Sequence, residues 1–183
     1  MKKHFLMAMI LFAIILMTTS TAMSWDRAGG NDNGNADSIA IGGGAYTDDA
    51  DSVAIGTGAT TDGVNSTAIG NEAQATGQAA TALGNNSVAS GFRSTAVGRQ
   101  ADAIGDSSFA GGNDSSAGGA DDVAIGHGTD TGTGGLNTAV GSYNTVNSGT
   151  ENSLLGNNND VTGDSNTVLG VGHQVVGDSN FVA

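Results

Sequence analysis

The groups in this 183-residue chain that could do chemistry are three histidines, eighteen acids and five basic residues. A metal centre or an acid–base pair needs such groups to converge at a fixed spacing. His4 lies in an apolar leader, while His127 and His173 stand three repeat units apart with no acidic partner at a fixed offset. Neither ligation nor catalysis is expected of them. The acidic runs Asp48-Asp49-Asp51, Asp121-Asp122 and the single Asp130 could hold calcium at loops, but the G-G-x-G-x-D calcium repeat is absent and solvated corners are the expected role. Gly42-Gly43-Gly44 has the glycine content of a phosphate loop without the Lys-Ser/Thr or the helix start that phosphate binding requires. With no cysteine there is no disulfide, thiolate site or cysteine nucleophile. The chain therefore reads as non-enzymatic, with no cofactor. What remains is Phe92, Arg93 and Arg99, the only basic locus in the body of the chain and a candidate ligand contact on an otherwise acidic surface.

The elements that carry these residues are set by glycine. Gly42, Gly56, Gly70, Gly84, Gly98, Gly112 and Gly126 recur every fourteen residues, and the series continues at Gly141, Gly156 and Gly170. A second series runs in antiphase through Gly63, Gly77, Gly91, Gly105, Gly119, Gly134, Gly149, Gly163 and Gly177. A fixed period marks a repeat architecture, in which each unit is stabilised by its neighbours. Two seven-residue halves, each ended by a glycine, predict two short strands per coil joined by tight corners. The fold class is all-β, a parallel β-solenoid of about ten coils. At roughly 4.8 Å per coil this is a rod of about 50 Å.

The first strand of each coil is apolar on both faces. The position before its glycine holds Ile41, Ile55, Ile69, Leu83, Val97, Ile125, Val140, Leu155 and Leu169, with Gly111 as the exception. One position earlier stands an alanine row, including Ala54, Ala68, Ala82 and Ala96, replaced by Leu154 and Val168 in the last coils. Successive strand side chains face opposite sides, so one of these rows lines the lumen and the other needs a partner chain. Either assignment predicts an oligomer packed through first strands. The larger Leu154 and Val168 predict that the contacts between chains open or reorganise toward the C-terminus. The second strand alternates small and polar residues, as in Ala73-Gln74-Ala75-Thr76, which predicts one buried and one solvated face. The late asparagines, among them Asn144, Asn152, Asn159 and Asn166, are expected to satisfy backbone at coil corners.

Met1 to His4 is a short basic segment, Phe5 to Met17 an unbroken apolar run, and Thr18 to Ser24 a small, polar stretch with cleavage-compatible residues. This predicts a signal peptide over 1–24 and export from the cytoplasm, with no transmembrane segment in the mature chain. Residues 25–36, rich in Gly, Asn and Asp, read as a flexible lead-in, and 37–183 as the repeats. The net charge of −13 repels phosphate backbones, so nucleic acid is not an expected partner.

Asn65-Ser66-Thr67-Ala68-Ile69-Gly70, Asp51-Ser52-Val53-Ala54-Ile55-Gly56 and Ser94-Thr95-Ala96-Val97-Gly98, each followed by small-x-small-x-Gly, resemble the head repeats of YadA-like trimeric autotransporter adhesins. The resemblance covers roughly residues 37 to 183. It implies a left-handed β-roll, a homotrimer about one axis, and display on a bacterial surface for attachment. Family members continue into a neck, a coiled-coil stalk and a membrane anchor. Here the sequence closes on Asn180-Phe181-Val182-Ala183, which leads to the expectation that a separate anchor protein or end-to-end stacking completes that end.

The reading is a secreted or surface-displayed, adhesin-like head that attaches to host matrix or another surface through many weak contacts. A structural fibre or coat module is the alternative. An ice- or mineral-binding solenoid is third, because the threonines Thr67, Thr81 and Thr95 share their strand face with the aliphatic row.

Overall fold

The computed structural model describes residues 25–27, 29–35 and 37–183, and the signal peptide expected over 1–24 lies outside them. The described residues form strands and turns without a helix. One face of the solenoid is a twelve-stranded sheet that begins at Trp25–Arg27 and Ile39–Ile41 and runs to Thr167–Val171 and Phe181–Val182. The opposite face is a six-stranded sheet from Tyr46–Thr47 to Ser116–Ala117 and a three-stranded sheet of Thr145–Ser148, Asp160–Thr162 and Gln174–Val176. Asp130 bridges Ser116 and Thr145, which links the last two sheets. Strands of one face alternate in sequence with strands of the other, and every pairing is parallel, as in Ala54↔Ala68 and Ala96↔Ala82. This is a parallel β-solenoid of about ten turns, with equivalent side chains stacked coil upon coil.

The segment read as a flexible lead-in is structured where it is described. Trp25–Arg27 pairs with Ile39–Ile41, and Asn31 bridges Tyr46, so this stretch contributes a coil of its own.

The alanine row faces the lumen. Ala40, Ala54, Ala68, Ala82, Ala96, Ala110 and Ala124 are all fully buried, and the second strands meet them with Ala73, Ala75, Ala89 and Ala103, also fully buried. Two facing sheets lined with alanine and serine can close at short range, which suits corners of only a few residues. From Ala139 onward the interior changes to Val146, Leu154, Val161, Val168 and Val175. Leu154 and Val168 therefore widen the roll's own interior. Their row points inward, contrary to the expectation that they would bear on contacts between chains.

The same coils carry two ladders of buried asparagine. Asn152 donates from its backbone N–H and its Nδ2 to Asn137 Oδ1 at 2.9 and 3.1 Å, and Asn166 repeats both bonds onto Asn152. Asn159 does the same to Asn144 at 3.2 and 3.0 Å. The amides of Asn152 and Asn159 also donate to corner carbonyls, of Gly163 at 2.8 Å and Gly170 at 2.9 Å. Larger interiors leave corner backbone out of reach of the opposite strand, and the amides satisfy it. The first rung is a carboxylate. Asp122, fully buried, accepts from Gly119 N–H at 2.9 Å and Asn137 N–H at 2.8 Å.

Burial raises the Asp122 carboxyl above its ordinary value, against the lowering effect of its hydrogen bonds. Asp62 is raised by desolvation and then by Asp48 and Asp49, and Asp102 by desolvation and then by Asp114. A carboxyl raised in the folded state contributes stability that is complete below the unfolded value and is lost as pH rises through the folded one. Thermal unfolding followed by circular dichroism is therefore expected to give a higher midpoint at about pH 4 than at pH 7, with Asp102→Asn reducing the difference. A midpoint that falls on acidification would contradict this.

Candidate functional site

The outer face of the large sheet is the most extended surface with a consistent chemistry. Ile41, Ile55, Leu83 and Val140 are half-buried there, and Ile69, Val97, Ile125, Leu155 and Leu169 are exposed. They stack in register, as Ile55↔Ile69↔Leu83↔Val97, at one residue per coil. The gap at Gly111 is closed from within the same strand. The Phe109 ring lies over Gly111, where a β-carbon would stand 2.7 Å from ring atom Cε1. The apolar stripe is thus continuous along the rod. Period counting flagged Gly111 as an exception, and the signal that would have explained it is the aromatic two residues earlier on the same strand face. Thr67, Thr81 and Thr95 form the neighbouring half-buried column of this face.

The sequence-level basic locus is divided by the fold. Arg93 and Arg99 stand at opposite ends of the strand Thr95–Val97, and hence at opposite edges of the roll. At one edge, Arg93 lies over the Phe92 ring with Cζ 4.6 Å from its centroid, and Phe92 N–H donates to Asp106 Oδ1 at 2.9 Å. Arg93 is an αL corner residue, with φ of 57°.

At the other edge, Arg99 belongs to a polar network that runs along the coils. Its Nε donates to Asn113 Oδ1 at 2.8 Å, it bonds Gln100 Oε1, and Nη2 stands 3.6 Å from Asp114 Oδ2. Asn113 donates in turn to Asp114 Oδ2. His127 Nε2 is 3.8 Å from the same carboxylate oxygen, and its ring meets Tyr143 edge-on at 4.8 Å between centroids. His127 thus does have an acidic neighbour, supplied by the coil before it. Counting along the sequence missed it because the pair is made between coils, thirteen residues apart. His173 has no such contact: its N–H extends the asparagine ladder onto Asn159 Oδ1 at 3.1 Å. Among the described residues, no three His, Asp or Glu side chains gather into a metal-binding group.

Comparison with known families adds an independent line. Residues 35–59, 62–88 and 89–115 match the family described as YadA head domain repeat (2 copies). Each match covers about two coils, in keeping with that description. No curated protein matches the chain. The match to YadA head repeats spans residues 35–115, and the coils after it keep the same parallel sheet and inward row.

Proposed function

We propose that this chain is the head module of an adhesin-like surface protein. It assembles as a homotrimer through the outer face of its large sheet and attaches to host matrix or another surface through many repeated weak contacts. The observation that carries this reading is the continuous aliphatic stripe, Ile41 to Leu169, that each protomer leaves half in solvent while its alanine row fills the lumen. An apolar stripe of that length on a monomer invites aggregation, and closing three of them about an axis removes it from water. The match of residues 35–115 to YadA head repeats supports the same assembly and a place outside the cell. In this reading the protein catalyses no reaction and uses no cofactor. Its strength of attachment comes from multivalency, since linked weak sites raise avidity without any new contact. A trimer stacked end to end as a fibre is the second arrangement compatible with a parallel roll.

Sedimentation of the mature chain is expected to give a trimer at micromolar concentration. A monomer there would overturn the assembly. A trimer that fails to retain coated beads on matrix-covered or mineral surfaces would leave the assembly standing and overturn attachment.

A further inference from the structure

We propose that the edge of the roll from Arg99 to Tyr143 is a binding subsite for a neutral pyranose sugar. The Tyr143 ring is its stacking platform, and Asp114 with Asn113 and Arg99 binds its hydroxyls.

The site is built by the corner that follows each strand of the large sheet. In successive coils this corner carries Arg99-Gln100, Asn113-Asp114, His127-Gly128 and Ser142-Tyr143. Gly128 presents no side chain, and Tyr143 occupies the space. A β-carbon on Gly128 would stand 2.9 Å from Cδ1 and Cε1 of the tyrosine ring. The ring is held on one side by this backbone and by the His127 contact, while Tyr143 as a whole is 53% exposed. Leaning over Gly128 brings it to about one coil spacing, about 5 Å, from Asp114, and the His127 ring bridges the two.

Tyr143 also breaks the local rule of its column. It adopts φ of 56°, a conformation that disfavours bulky residues, whereas the equivalent corners use Gly44, Gly58, Glu72, Asn86, Gln100, Asp114 and Asn158. Departures of this kind from the local backbone rule concentrate at functional positions.

The chemistry selects the ligand. A pyranose offers an apolar C–H face, suited to an aromatic ring, and adjacent hydroxyls, suited to planar carboxylate, amide and guanidinium groups. The Asp114 charge is balanced by Arg99, so the subsite is close to neutral. The net charge of −13 disfavours sulfated or carboxylated sugars. This assigns a ligand class to the attachment reading and rests on that reading for its biological role. Sugar binding itself is measured on the isolated protein.

The test is saturation-transfer NMR on the folded chain with about 10 mM of each probe, a range suited to weak single-ring binding. The probes are the methyl glycosides of α-mannose, β-galactose and β-glucose, with the methyl glycoside of N-acetylneuraminic acid as the anionic arm. The expected result is transfer to at least one neutral glycoside, strongest at its ring C–H protons. It should fall about tenfold in Tyr143→Asn, a residue already tolerated in this corner at Asn86 and Asn158, with the thermal midpoint unchanged. Tyr143→Gly is a second ring-less variant with the same expectation. Asp114→Ala should weaken transfer severalfold. No transfer from any neutral glycoside, transfer indifferent to Tyr143, or stronger transfer from the anionic sugar would overturn the proposal. Sugar binding intact in a protein that does not attach to surfaces would count against the attachment reading alone.

Discussion

Ala68→Asp is expected to unfold the roll around its coil, while Ile69→Asp, one residue on, is expected to leave the roll folded and prevent its assembly. Ala68 is fully buried in the lumen and Ile69 is 40% exposed on the outer face. A carboxylate at 68 would sit among Ala54, Ala82 and the opposite strands with no cation to receive it. An uncompensated buried charge costs about 3–5 kcal/mol, a large share of what a domain has. At 69 the new charge keeps much of its water within the protomer, and its cost there is within about 1 kcal/mol. In the proposed trimer that water is lost, and three such charges approach one another about the axis. Circular dichroism and sedimentation separate the outcomes. Ala68→Asp should lower the unfolding midpoint steeply, whereas Ile69→Asp should keep the β signal and sediment as a monomer. Gln74→Asp, exposed on the second sheet, should alter neither. If both variants at 68 and 69 stayed folded and assembled, the division into lumenal and outer rows would be wrong.

That division marks the limit of what the sequence could express. Period and strand alternation make the solenoid and its two strands per coil legible, because glycine spacing and side-chain direction follow from local geometry. Alternation does not say which of two apolar rows points inward. The answer depends on the distance between the two sheets, which the whole coil sets by closing on itself. Clusters made between coils were hidden for a related reason. His127 beside Asp114 and Tyr143 over Gly128 are neighbours only once the coils are stacked. Conversely, Arg93 and Arg99 look like one locus on paper, and three residues of strand place them on different edges. The late asparagines were legible in kind, since they do bond corner carbonyls. Their stacking into continuous ladders required the register.

The glycine period makes a prediction about energetics as well as topology. Gly84→Ala is expected to cut the roll in two. Gly84 has φ of +146°, a region that side chains avoid, and an added β-carbon would stand 2.1 Å from the carbonyl oxygen of Gly98. The adjacent coils repeat the arrangement, with Gly70 facing Gly84 O and Gly98 facing Gly112 O at 2.2 Å each. At this corner the β-carbon direction points along the rod into the next coil. The obstacle is backbone, and it cannot swing aside as a side chain would. Relief requires separating the coils, which breaks the 2.8 Å bond from Gly98 N–H to Leu83 O. The backbone conformation alone costs about 1–3 kcal/mol, and the clash and the lost pairing bring the total to roughly 4 kcal/mol. In a quasi-one-dimensional fold stability is a sum over coils and their interfaces, so one failed interface uncouples the coils on either side. Melting should become biphasic, and limited proteolysis should cleave near residues 84–98. Gly43→Ala is the matched control: its β-carbon would meet nothing within 4 Å, and its φ is not positive. The two substitutions are chemically identical. A Gly84→Ala protein that melts within about 2 °C of the parent, in one transition, would mean that the glycine column is not what holds the coils at their spacing.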